Sequence, residues 1–106
     1  MKGVLKMIQL QRINGKATAN VPHAIVYHSP TGFEWGYGGS GPADLALNIL
    51  YYVTGDKKLA MEFHQQFKWE FIALMPREGG TIERKEIIDW LNKFDKTQEV
   101  DKNDPI

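Results

Sequence analysis

The stretch FEWGYGGSGPADLALNIL, Phe33 to Leu50, sets three aromatic rings among Gly36, Gly38, Gly39 and Gly41 and then runs straight into an apolar segment. A helix opening there presents amide groups with no intrahelical acceptor and a partial positive charge. A glycine lead-in removes the Cβ atoms that would hold a phosphate away. Gly38, Gly39, Ser40, Gly41 and Ala43 would supply main-chain donors, and the Ser40 hydroxyl one more. Phe33, Trp35 and Tyr37 offer flat faces, and stacking on such faces contributes ~1–3 kcal/mol per base in single-strand binders. Lys68 or Arg77 would meet the charge of the anion, and His28, ahead of a Ser-Pro turn, would orient the loop by hydrogen bonding. Together these residues describe a site for a nucleotide-type anion. The same composition also builds a tightly packed turn, in which the glycines allow positive φ and Phe33 and Trp35 belong to the core.

The stretch departs from the familiar phosphate loops. No Gly-Lys-Ser/Thr follows, so it is not the loop of nucleoside-triphosphate hydrolases. Gly36, Gly38 and Gly41 approach the dinucleotide-binding spacing, yet no βαβ unit with a ribose-binding acid follows. Pro42 removes one donor, and Asp44 would repel a phosphate unless it caps the backbone or meets Lys or Arg.

Other chemistry is thinner. His23, His28 and His64 lack any metal-binding spacing, so neither a metal nor a cofactor is expected. His64 reads as a boundary or surface residue beside an apolar stripe. Ser29 and Ser40 lie outside any nucleophile elbow, and Ser40 reads as a helix cap. Glu34, Asp44, Glu62 and Glu70 have no visible pairing of the kind that acid–base catalysis needs. No catalytic residue is assigned.

The elements that must position these residues come from a chain of 106 residues with 13 basic and 13 acidic side chains and no cysteine. That length suits one domain, residues 1–95, with a polar tail over 96–106. Balanced charge argues against nucleic acid as a partner. The short apolar runs argue against a membrane span, and the polar-interrupted N-terminus against a signal peptide. The reading is of a soluble, cytoplasmic protein.

Val4–Arg12 alternates loosely and reads as a strand covered on both faces or an imperfectly amphipathic one, Asn14-Gly15 signals a hairpin, and KATANV is the return strand. His23–Ser29 is β-branched and aromatic and reads as a further strand, with Phe33–Trp35 as a short one. A first helix begins near Gly41, with Ser40 or Gly41 as cap, Pro42 in the first helical position and Asp44 in the first turn. It is apolar nearly all round, hence buried, and Gly55 stops it. Asp56 caps a second helix whose stripe is Leu59, Phe63, Phe67 and Phe71, extended by Ile72 and Leu74; Lys68, Trp69 and Glu70 read as its solvated face. Gly79-Gly80 form a hinge or turn. A third helix starts near Glu83, with Ile87, Ile88, Leu91 and Phe94 at helical spacing, Trp90 partly buried, and Arg84 and Lys85 facing solvent. The fold class expected is α+β: an N-terminal β-hairpin or small antiparallel sheet packed against three C-terminal helices.

HSPTGFEWGYGGSGPADLAL, His28 to Leu47, with FKWEFIALMP, Phe67 to Pro76, and TIERKEIIDWL, Thr81 to Leu91, resembles a prokaryotic family of unknown function. Its members occur in bacteria, archaea, plasmids and phages. The resemblance implies a phage or mobile-element setting and supplies no activity. In that setting a nucleotide-binding protein would sequester a host immune signal, an anti-defence role. Three other readings stand beside it. One is a protein-interaction module, an inhibitor or adaptor meeting a host protein through aromatic surface. A small phosphate-ester hydrolase using His28 is another, and a DNA-binding regulator using the third helix is the last. A buried first helix beside an aromatic second one also leads us to expect a weak homo-oligomer.

Overall fold

In the computed structural model, which describes the backbone of residues 6–103 and the side chains of residues 6–94, Asn14 and Gly15 both take positive φ, 52° and 81°. That geometry matches the twist of a two-residue hairpin. Strand β1 (Met7–Ile13) pairs antiparallel with β2 (Lys16–Ala19), Ile13 opposite Lys16 and Leu10 opposite Ala19. Ile8 and Leu10 are buried while Gln9 and Gln11 are exposed, so β1 is one-sided. The first residues of the expected strand, Val4 and Leu5, lie outside the described residues.

The sheet is completed from far along the chain. Strand β3 (Gly79–Glu83) lies on the other side of β1, giving the antiparallel order β2-β1-β3, with Ile82 opposite Ile8. Gly79 and Gly80 therefore open a strand and do not form the expected turn. Gly79 has φ 104°, and a Cβ there would run into the Leu10 carbonyl of β1. Two glycines let the chain swing this close and begin pairing at once. The fold is α+β, as expected, but the sheet is not wholly N-terminal: its third strand sits between helices.

Helix α1 (Ser40–Thr54) is the centre of the molecule. Every residue from Gly41 to Leu50 is buried. It packs along α2 (Lys57–Phe67) and the π-helical turn that extends α2 over Lys68–Ile72. Gly55 in the left-handed region ends α1, its N–H on the Tyr51 carbonyl. The Asp56 side chain accepts from the Leu59 amide and starts α2, as its sequence position predicts. Helix α3 (Arg84–Asn103) follows β3 without a loop, so Glu83 belongs to the strand. Its backbone runs into the segment expected as a polar tail, of which 104–106 lie outside the described residues. The Arg84 guanidinium is half-buried and donates to the Val53 carbonyl, whereas Lys85 faces water and pairs with Asp89.

One core joins sheet and helices: Ile8, Leu10 and Ile82 from the strands, Leu45, Leu47, Ile49, Leu50 and Val53 from α1, Phe67, Ile72, Ile87, Trp90 and Leu91. The aromatic stripe of α2 does pack, Phe67 and Phe71 stacked at 4.5 Å and both edge-on to Trp90. Leu74 leaves it. The π turn rotates the backbone, and Leu74 ends 77% exposed.

Gly79→Ala is expected to cost about 2–4 kcal/mol, because backbone strain and a clash with fixed main chain add. Gly55→Ala, at φ 72° with open space around it, is expected to cost about 1–2 kcal/mol. Urea denaturation of the two variants checks the difference.

Candidate ligand-binding site

The segment His23–Ser29 is irregular rather than a strand, and two side chains of α1 explain why. Asp44 is fully buried. Its Oδ1 accepts from the amide of His28 at 2.8 Å, its Oδ2 from the amide of Ser29 at 3.0 Å and from His23 Nε2 at 2.8 Å, and the Tyr27 amide reaches both oxygens. One turn further on, Asn48 accepts from the Ile25 amide at 2.8 Å and donates to the Ile25 carbonyl at 2.9 Å. Main-chain groups that a β ladder would satisfy are thus satisfied by a helix. Asp44 lies past the first turn and is not there for the helix dipole. Burial by itself would raise its carboxyl; the His23 ring and the amides of Ser29, His28 and Tyr27 outweigh that and hold it below the usual carboxylate range.

His28 and His64 meet at 3.0 Å through their Nε2 atoms. His64 Nδ1 lies 2.8 Å from the Met61 carbonyl, so Nδ1–H donates there and Nε2 accepts from His28. His64 is buried, not a boundary residue, and both ring nitrogens have partners within the protein, His28 and the Met61 carbonyl. Burial and the charge of His28 push its pKa down against the pull of the Met61 carbonyl.

The glycine block is pinned to the π turn. The Gly36 amide donates to the Ile72 carbonyl at 3.0 Å, and Lys68 Nζ donates to the Gly38 carbonyl at 3.0 Å. Lys68 is buried, contrary to a solvated face; the π turn directs it inward, with Nζ 4.4 Å from the Trp69 ring centre. The Trp69 ring covers Gly38 and the Tyr37 ring covers Gly39, each in space that a Cβ would need. Trp69 and Glu70 are exposed, as a solvated face implies, and Glu70 also accepts from Trp90 Nε1.

Before the glycines, Phe33–Trp35 is also irregular, held by side chains. Arg12 reaches from β1 and grips Glu34 with two nitrogens, at 2.9 and 3.2 Å. That hydrogen-bonded pairing lowers the Glu34 carboxyl below its usual range against the effect of burial. Arg12 Nε and Trp35 Nε1 both donate to the Arg77 carbonyl. Glu34 lies against Gly41, where a Cβ would come 2.9 Å from that of Glu34.

A cleft of about 410 Å³ opens between the β1–β2 turn and the start of α1. Lys16, Thr31, Phe33, Tyr37, Ser40 and Gly41 are among its lining residues. Gly39 is the N-cap, Ser40 the first helical residue and Pro42 the third, so Ser40 is not the cap; no side chain caps α1 among the described residues. Pro42 still costs no helical bond, because the first intrahelical donor is the Ala43 amide, on the Gly39 carbonyl. Tyr37 is 52% exposed.

Of the residues singled out by sequence, the structure brings Phe33, Tyr37, Ser40 and Gly41 together in this cleft. Trp35 is buried with its indole on Arg77, and Lys68 and Gly38 bond to each other behind the loop. Gly39 lies under Tyr37, Ala43 is buried in α1, and His28 pairs with His64. Sequence reasoning missed Lys16 and Thr31. Lys16 is the first residue after the Asn14-Gly15 hairpin turn, and only the fold sets that turn opposite the helix start.

Fold and site define a small α+β protein, a three-stranded antiparallel sheet with three helices, carrying a polar cleft at the start of its central helix. The chain belongs to a family of unknown function, DUF6166, whose model matches residues 4–93. No curated protein and no solved structure matches it. Among the described residues no helix is long and apolar enough to cross a membrane, and no cluster of three or more metal-ligating side chains occurs.

Asp44→Ala leaves three amides without their acceptor and is expected to cost about 3 kcal/mol or more. Two acid losses are also expected. His64 binds its proton more readily unfolded than folded, so stability falls as pH drops below about 6.5. Asp44, held low, contributes stability present above its unfolded value and lost as pH falls through its folded one, so a second loss comes below about pH 4. Urea midpoints against pH check both, with His64→Gln expected to abolish the first and spare the second.

Proposed function

We propose that this protein is a non-catalytic binding protein for a small anionic ligand of nucleotide type, held in the cleft at the start of α1. The carrying observation is the lining itself: an uncapped helix start at Ser40 and Gly41, the Lys16 side chain and an exposed Tyr37 ring share one cleft of about 410 Å³. That volume lies within the range of small-molecule sites. The amides and Lys16 would take the phosphate, Tyr37 and Phe33 the base or another ring. Glu34 faces the same cleft, and its pairing with Arg12 offsets the repulsion it would exert. In the phage or mobile-element setting that the sequence resemblance implies, the ligand would be a cytoplasmic nucleotide immune signal, sequestered rather than turned over.

Calorimetric titration with ADP-ribose, a cyclic dinucleotide and inorganic phosphate tests this. Binding is expected for at least one nucleotide, weakened about tenfold by Lys16→Ala, as loss of a charged hydrogen bond entails, and again by Tyr37→Ala. No heat from any of them up to millimolar concentration removes the reading.

A second reading, an inhibitor or adaptor docked on a host protein, is favoured by Trp69, 58% exposed on the π turn beside the glycine block. Aromatic anchors of this kind dominate interfaces.

A further inference from the structure

Between Lys16 and Glu34 the chain contains no Asp, Glu, Lys or Arg, although a quarter of all residues are charged. Part of this uncharged run is on the surface: Pro22, Ala24, Val26, Tyr27 and Pro30 are exposed, Val26 at 58% and Tyr27 at 61%. Depletion of charge around exposed apolar and aromatic side chains marks the core of an interface.

The run is also held in advance. Asp44 and Asn48 fix Ile25, Tyr27, His28 and Ser29 from inside, so the Val26–Tyr27 tip carries little ordering cost on binding. Ile25 gives both its N–H and its C=O to Asn48, as a strand residue would to a neighbour. The main-chain groups of Ala24 and Val26 have no partner among the described residues.

We infer that Ala24–Tyr27 is a self-association surface, on which a second copy of the chain pairs antiparallel across a twofold axis. A twofold contact sets a patch against itself, so any charge on it would face its own like. An uncharged tip avoids that. The free N–H and C=O groups of Ala24 and Val26 then exchange hydrogen bonds with those of the partner copy, and Val26 and Tyr27 cover them. This surface is separate from the cleft, and the inference stands whether or not the cleft binds a nucleotide.

Sedimentation equilibrium of the full chain tests it, together with Val26→Asp and two single-cysteine variants, Val26→Cys and Leu74→Cys. The chain has no cysteine of its own, so each variant carries one thiol. The wild type is expected to dimerise with rising concentration, and Val26→Asp to weaken dimerisation roughly tenfold or more by facing like charges across the axis. Val26→Cys is expected to form a disulfide-linked dimer under mild oxidation faster than Leu74→Cys, although Leu74 is the more exposed side chain. This second readout does not depend on the charged variant folding. A wild type that is monomeric at every concentration overturns the inference. So does a dimer unaffected by Val26→Asp, or cross-linking no faster at 26 than at 74.

Discussion

The buried carboxylate of Asp44 is the constraint on which the rest of the molecule depends. Placed in the most apolar helix of the chain, it would cost several kcal/mol if left alone. It is instead surrounded by the amides of Tyr27, His28 and Ser29 and the ring of His23. Satisfying one charge therefore fixes the path of the chain from Tyr27 to Ser29. That path brings His28 to His64 on α2 and sets Phe33 against the His23 ring at 4.4 Å. Asn48 extends the same device by one helical turn.

A second set of contacts fixes the glycine block against the π turn. Gly38 and Gly39 are small because rings lie where their side chains would be, and Lys68 gives up solvent to hold the Gly38 carbonyl. The packing role of these glycines is thus plain. Ser40 itself stays exposed beside these contacts, and Arg12 holds Glu34 next to it. The cleft lies between a hairpin turn and a helix start.

Much of the architecture was legible in short-range patterns. Asn14-Gly15, Asp56 and Gly55 act through their own backbone neighbours, so the hairpin, the α2 cap and the end of α1 follow from the residues themselves. The strand expected at His23–Ser29 failed for an equally definite reason: its β-branched composition is real, but its hydrogen-bond partners are side chains many residues away on α1. Gly79-Gly80 carried a turn signal in isolation and became a strand because β1 offered an edge.

The candidate site divides along the same line. Sequence alone determined the abrupt change from glycine to apolar helix, and with it the supply of main-chain donors at Ser40 and Gly41, because helix initiation is local. Tertiary structure alone decided which rings and cations share that space. It turned Trp35 and Lys68 inward and brought Lys16 from the opposite hairpin. Side-chain direction depends on what lies across the gap: a buried indole needs the Arg77 carbonyl, a buried ammonium the Gly38 carbonyl, and neither acceptor is near in the chain.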